Sequence, residues 1–243
     1  LRLRHHVVPF NRVDKNNLQA RILLRTGQIQ KVITLLERKL KSEDMDRTPC
    51  SFRESSLILS LCYSYMGDAE RALKYARSSI IFADKIQSPF IAVIGYVRTG
   101  HALLLDYRHT REICRQAYEK AQIMADELGI ERGKTEIYEG RCLMEALDGN
   151  WTEAEQIGLQ AIAISEKGHD AWFTAMMYHT LGMSAALCRH YSEGEAYSCK
   201  ALALFEKCGD YFGQSACYWQ LTYQYYHLKE QKKFCNSYEK LLY

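Results

Sequence analysis

Apolar side chains recur along this chain at positions i, i+3, i+4 and i+7, the spacing of one face of an α-helix. Leu57, Leu61 and Tyr65 show the pattern in one segment, and Leu73 and Ile80 continue it in the next. The alternation of a β-strand and Asn-Gly hairpin turns are both absent. The pattern therefore predicts an all-α chain of twelve helices, over residues 14–26, 28–41, 52–66, 69–86, 89–106, 109–128, 131–148, 151–167, 170–188, 192–208, 211–228 and 230–242.

A turn followed by an acidic helix start with a small residue recurs at a fixed interval. The clearest copies are Gly67–Ala72, Gly149–Ala154 and Arg189–Gly194, and all copies begin near residues 27, 67, 108, 149, 189 and 229. The period is 40 or 41 residues, and each period holds two helices. A helical repeat of this length predicts a right-handed α-solenoid of about six helix hairpins. Near residues 107–109 the helices before and after the turn match the repeat pattern only when each is aligned to it separately. This offset predicts a longer turn there.

The organisation expected from the repeat is a lead-in over residues 1–12 and one solenoid domain over residues 13–243. The chain begins without Met and ends within a helical pattern. We therefore expect it to be a module of a longer protein.

Within each hairpin the spacing of large and small residues resembles the tetratricopeptide repeat. Tyr178, Leu181 and Gly182 stand at the aromatic, Leu and Gly positions of that family's first helix, and Gly194 and Ala201 stand at small positions of its second helix. A small side chain permits close approach of two helices. The resemblance implies that the first helix of each pair lines a concave groove.

The longer period is similar to that of the MalT-like sensor region of bacterial signal-transduction ATPases, many of which carry a LuxR-type DNA-binding end. The stretches Leu18–Ile29 and Phe205–Asp210 resemble those regions in their order of apolar, polar and turn residues. This resemblance implies a sensor or scaffold solenoid of a bacterial transcriptional regulator, with a neighbouring ATPase or DNA-binding module. It also implies a protein or peptide partner, or a small-molecule inducer.

Charge and cysteine content exclude several classes of partner and ligand. With 32 basic and 29 acidic side chains and no basic run, the segment lacks the clustered positive face that nucleic-acid binding needs. The most apolar stretches, 171–188 and 211–228, carry too many polar residues for a membrane span. Nine cysteines without a CxxC pair argue against a metal site and indicate buried, reduced thiols in a cytoplasmic protein.

Catalytic and nucleotide-binding motifs are missing from the sequence. Neither GxSxG nor HExxH occurs, and the loop from Gly129 to Thr135 has three residues between its glycines, whereas a phosphate-binding loop has four. A helix, rather than a strand, is predicted before that loop. We therefore expect no cofactor and no enzymatic activity, although an enzyme with a spatially assembled site remains the third alternative.

Carrying the groove positions of the tetratricopeptide family onto this chain gives an aromatic and apolar wall without a Lys/Arg clamp. Such a wall suits a sugar-like, peptide or apolar ligand, because flat rings bury area and keep a polar tip. About half of these side chains are expected to pack on a neighbouring helix instead. The second hypothesis is a free-standing adaptor that holds a peptide or protein in the same groove. The predicted groove residues are Tyr65, His101, Glu139, Met176, His179, Trp219, Tyr223 and Tyr226.

Overall fold

The computed structural model describes residues 12–42 and 49–242, which contain twelve α-helices and no strand. Each predicted helix is present, with its ends within three residues of the prediction, and the all-α solenoid is confirmed. The lead-in up to residue 11 lies outside the described residues. The helices are α1 Arg12–Arg25, α2 Ile29–Ser42, α3 Pro49–Tyr65, α4 Ala69–Lys85, α5 Pro89–Leu104, α6 Tyr107–Glu127, α7 Glu131–Leu147, α8 Trp151–Lys167, α9 Ala171–Leu187, α10 Tyr191–Cys208, α11 Tyr211–Leu228 and α12 Gln231–Leu242.

The helices form two layers. Each odd-numbered helix packs against the next odd-numbered helix as well as against its chain neighbours. Among the described helices, the even-numbered ones do not pack against one another. The odd-numbered helices are therefore closer together and form the inner, concave layer of the solenoid, as the repeat pattern predicts for the first helix of each pair.

The inner layer curves until the first two pairs meet the last two. Helix α1 packs against α11, and the Arg25 guanidinium lies 4.1 Å from the ring centroid of Trp172 on α9. The ring of Tyr65, at the end of α3, lies 5.2 Å from that of Phe212, at the start of α11. The odd-numbered helices therefore face one another around the concave side of the solenoid, which we call the channel.

Small residues set the distance between paired helices. Ala72 and Ala201 are fully buried on their second helices. Between α9 and α10, a methyl group added at Gly182 would lie 2.5 Å from Ser198 Oγ, and one added at Gly194 would lie 3.1 Å from the Gly182 carbonyl oxygen. These contacts confirm that the small positions of the repeat serve close helix approach.

Left-handed backbone conformations end most helices and account for the turn anchors of the repeat. Positive φ angles occur at the anchor residues Gly27, Gly67, Gly149, Arg189 and Lys229. An L-residue with a side chain pays a steric cost in this conformation, whereas glycine does not. Two of the five turns therefore use a residue that is strained at this position.

The third pair departs from this rule, and the prediction of a longer turn there is wrong. Only Leu105 and Asp106 separate α5 from α6, and Leu105 has a right-handed φ of −64°. The chain thus passes from one helix to the next without a left-handed residue. The different phases of the two helices arise from this shorter turn.

The prediction of buried thiols is correct for only part of the set. In the described chain, Cys62, Cys114, Cys142 and Cys217 are buried. Exposed thiols lie at Cys199, Cys208 and Cys235, on α10 and α12. Within the same residues, none of the helices combines the length and the apolar character that crossing a membrane requires.

Candidate binding channel

A stripe of side chains on α9 faces the channel. Trp172, Met176, His179 and Met183 are three or four residues apart and therefore share one face of the helix. Because Trp172 meets Arg25 of the first pair across the channel, this face is the channel wall. Met176 and His179 are both partly buried there.

An ion pair occupies the centre of the channel wall. Arg98 on α5 donates to the carboxylate of Glu136 on α7, and their side chains are only 11% and 16% exposed. The same guanidinium lies 3.3 Å from Nδ1 of His101, one turn further along α5. Burial, together with the positive charge of Arg98, lowers the pKa of His101 to about 4. This imidazole is therefore neutral at pH 7.

Glu139 lies one turn from Glu136 on α7, where the positive charge of Arg98 offsets part of the effect of its burial. Its Oε1 accepts a hydrogen bond from the Thr180 hydroxyl of α9 at 3.4 Å. Burial and the nearby negative charge of Glu136 raise the pKa of Glu139 to about 7. His179, adjacent to Thr180, has a pKa lowered to about 4 by burial. The channel therefore holds a carboxyl group that changes charge near neutrality.

Tyr118 reaches the inner layer from the outer helix α6. Its ring fits between Gly100 of α5 and Gly140 of α7, where an added methyl group would lie 2.5 Å and 2.0 Å from Cζ. The ring is 5.9 Å from that of His101. The Tyr118 hydroxyl has no hydrogen-bond partner among the described residues, and Arg98 Nε has none either. With Nε2 of His101, three buried polar atoms of this cluster are left without partners among the described residues, which is uncommon in folded proteins.

Tyr65 stands at the closure of the channel. Although 39% of its surface stays accessible, the surrounding protein and the charge of Glu139 raise the pKa of its hydroxyl. Its hydroxyl therefore lies inside the channel, whereas part of its ring is exposed. The structure brings Tyr65, His101, Glu139, Met176 and His179 to the channel.

The three predicted aromatic residues of the last pair are more exposed. Trp219 and Tyr223 are on the same face of α11 as Phe212, and 58% and 44% of their surfaces are exposed. Tyr226 follows Tyr223 by three residues and continues this face, and its ring lies 6.4 Å from that of Phe234 on α12. The structure therefore places Tyr226 on α11 beside α12, at the C-terminal end of the solenoid, with 68% of its surface exposed.

Sequence reasoning missed Arg98 and Tyr118. The prediction for α5 named His101 and did not consider Arg98, three residues before it on the same helix. Tyr118 belongs to a second helix, which is not expected to contribute to the groove. The signal for it was the pair Gly100 and Gly140, at matching positions of two first helices, because glycine within a helix is costly unless something packs closely against it.

Comparison with known proteins gives matches to solved structures only. No model of a protein family matches the chain, and no curated protein is similar to it in sequence. BtubC (BKLC) from P. vanneervenii is 15% identical, with a TM-score of 0.59, over 95% of this chain and 90% of BtubC. The apo form of RapI is 17% identical, with a TM-score of 0.63, over 95% of this chain and 83% of RapI. The chain has a helical-repeat fold. At these identities the likeness extends to the fold alone.

Proposed function

We propose that this chain is a binding module whose channel takes a peptide or a small-molecule ligand. The observation that carries the proposal is the cluster of Arg98, Glu136, Glu139 and Tyr118 inside the channel. Ionisable groups are costly to bury, and two atoms of this cluster have no partner. A site for a polar ligand accounts for both facts.

The closure of the channel restricts what can enter it. Tyr65 and Phe212 touch across it, and Arg25 meets Trp172. Because the inner helices touch in this way, we propose an extended peptide or a small molecule, rather than a folded domain, as the occupant of the channel. Ligand sites of this kind are usually concave, with a few polar groups that fix orientation.

We further propose that the module serves as a sensor or scaffold solenoid of a bacterial transcriptional regulator. This step rests on the resemblance of the repeat to MalT-like sensor regions. A ligand that binds one curvature of the solenoid more tightly than another would shift the population of the two. A full-length gene that encodes no nucleotide-binding or DNA-binding module beside this segment would contradict the proposal of a transcriptional regulator.

A second candidate function is that of an adaptor. Trp219, Tyr223 and Tyr226 expose large aromatic surface at the C-terminal end, and such surface often contributes to binding a protein partner. A pull-down that depends on Tyr226, at the C-terminal end of the solenoid, would favour the adaptor. The expectation that the chain is not an enzyme stays a prediction, and turnover lost on changing Glu139 or His179 would contradict it.

A thermal-shift screen of peptides and sugars tests the proposed function, because a ligand that binds only the folded state raises the melting temperature. Met183→Trp adds bulk to the channel stripe of α9 and should remove the shift. The matched control is Leu159→Trp, which adds the same bulk at an exposed position of the outer helix α8. Equal shifts in both variants would place binding outside the channel.

A further inference from the structure

One helix of the inner layer carries a charged residue at a core position of the repeat. Leu181 of α9 and Leu221 of α11 stand at equivalent positions and are 0% and 3% exposed. Leu181 packs against the preceding helix α8, where a methyl group added at Gly158 would lie 2.4 Å from its Cδ2. The equivalent residue of α7 is Arg141, which is partly buried. A guanidinium thus takes the place of an apolar side chain between α7 and α6.

A cavity of about 250 Å³ lies between these two helices. Glu119, Gln122 and Ile123 of α6 line it, together with Arg141 and Met144 of α7. The lining also includes Tyr118, which the cavity shares with the cluster in the channel wall, but Arg98, His101, Glu136 and Glu139 of that cluster do not line it. The cavity is therefore a second candidate site.

A part of the polar lining is compensated within the protein. Arg115 of α6 lies 3.7 Å from Glu145 and 3.4 Å from Asp148, both near the end of α7. Arg111 pairs with Asp148 as well, at 2.7 Å. These charges therefore have partners without a ligand.

Three other polar groups of the cavity lack a partner among the described residues. The Arg141 guanidinium and the exposed Glu119 carboxylate form no ion pair or side-chain hydrogen bond there. Gln122 donates through Nε2 to Asp126 at 2.9 Å, whereas its buried Oε1 accepts no hydrogen bond. Buried acceptors without a donor are uncommon. The cavity thus presents one cation, one carboxylate and one amide oxygen that a ligand could satisfy.

We infer that this cavity binds a small zwitterion that carries a carboxylate and an ammonium group, as a free amino acid does. The carboxylate accepts hydrogen bonds from the Arg141 guanidinium, whose fork of N–H donors matches its two oxygens. The ammonium group has three N–H donors, which serve Gln122 Oε1 and the Glu119 carboxylate. An apolar side chain packs on Ile123 and Met144. The cavity is slightly smaller than the ~300–1,000 Å³ of most ligand sites, so the ligand is small.

Three probes of matched shape test the two charged groups separately. Leucine carries both groups, isocaproate lacks the ammonium group and isopentylamine lacks the carboxylate. Isothermal titration calorimetry on the whole chain should show that leucine binds, and that each of the other two probes binds at least tenfold more weakly. The inference fails if leucine does not bind at millimolar concentration, or if either analogue binds as tightly as leucine.

Two variants assign the binding to the named side chains. Arg141→Leu introduces the residue that α9 and α11 carry at this position, so the variant should fold, and it should bind leucine at least tenfold more weakly. Arg108→Leu, at an exposed position of α6, is the matched control and should leave the affinity unchanged. Glu119→Gln should weaken binding of leucine but not that of isocaproate, because only leucine has an ammonium group. Full leucine affinity in Arg141→Leu would overturn the inference.

The inference goes beyond the proposed function, and Met183→Trp separates the two. This substitution adds bulk to the channel and should leave leucine binding intact, whereas a channel ligand should be lost. Arg141→Leu should have the opposite effects. Loss of leucine binding in Met183→Trp would place leucine in the channel and refute the second site. A screen that yields no ligand sensitive to Met183→Trp would refute the channel and leave the second site standing.

Discussion

Glu139 and the two channel histidines give the fold opposite responses to pH. The pKa of Glu139 is raised from 4.5 to about 7, so its contribution to stability is full below pH 4.5 and is lost as the pH rises through 7. The pKa values of His101 and His179 are lowered from 6.5 to about 4. Their contribution is present above pH 6.5 and is lost as the pH falls through 4.

The first prediction follows from the Glu139 response. Glu139→Gln remains neutral at every pH, so it should lose less stability than the wild type when the pH is raised from about 5 to about 8, by up to ~3 kcal/mol. Urea unfolding at a series of pH values measures the difference. A wild-type minus variant difference that is independent of pH would show that Glu139 is not buried as described.

The second prediction concerns the Tyr118 hydroxyl. Removing a buried hydroxyl that has no partner relieves a desolvation cost, so Tyr118→Phe should stabilise the fold by about 1 kcal/mol. Tyr63→Phe is the matched control, because the hydroxyl of the buried Tyr63 donates to Glu37 at 2.8 Å, and its loss should be destabilising. Chemical denaturation compares the two variants. A destabilised Tyr118→Phe would mean that the hydroxyl has a partner in solution.

At the residue scale the sequence predicted part of the channel. Groove spacing on the first helices identified Tyr65, His101, Glu139 and His179. It did not identify Arg98, because one residue along a helix turns a side chain by about 100° and the pattern does not resolve that difference. Nor could it show that Arg98 is neutralised by Glu136, since this pairing depends on how α5 and α7 pack.

At the element scale, helix ends with left-handed residues offer a direct test of the repeat. Lys229 ends α11 with φ of 60°, a conformation that costs a residue with a Cβ atom roughly 1–2 kcal/mol. The third prediction is that Lys229→Gly stabilises the fold by about 1 kcal/mol, measured as a higher urea midpoint. Lys229→Ala keeps the Cβ atom and should not show this gain. Equal effects of the two variants would contradict the assigned backbone conformation.

Helices were predictable because their apolar spacing and turn residues agree. The anchors Gly27, Gly67 and Gly149 mark turns whose φ angles are positive, and the periodicity fixes the helices between them. The third pair misled the prediction because its turn carries no glycine. A two-residue turn of right-handed backbone leaves no compositional signal, so the change of phase was assigned to a longer turn.

At the scale of the whole molecule, closure of the channel depends on a few side chains. Arg25 contacts Trp172, and Tyr65 contacts Phe212. These partners are far apart in the sequence, and curvature that accumulates over six hairpins brings them together. A sequence pattern describes each hairpin but not the small rotation between hairpins, so closure could not be predicted.

The fourth prediction concerns this closure. The double substitution Arg25→Ala and Phe212→Ala removes two side-chain contacts across the channel, and small-angle X-ray scattering should then show a larger radius of gyration at unchanged helix content. Arg108→Ala with Leu159→Ala truncates similar side chains on the exposed faces of α6 and α8 and should leave the radius unchanged. Identical scattering from both variants would show that the curvature is set within the hairpins alone.

The most direct test of the central claim, that a ligand binds in the channel, is hydrogen–deuterium exchange with a peptide or sugar found by the screen. The account predicts slower exchange on the inner helices α5, α7 and α9, centred on the segments that contain Arg98, Glu139 and His179. Protection confined to α11 and α12, around Trp219 and Tyr226, would contradict it and favour an adaptor that binds through its C-terminal end.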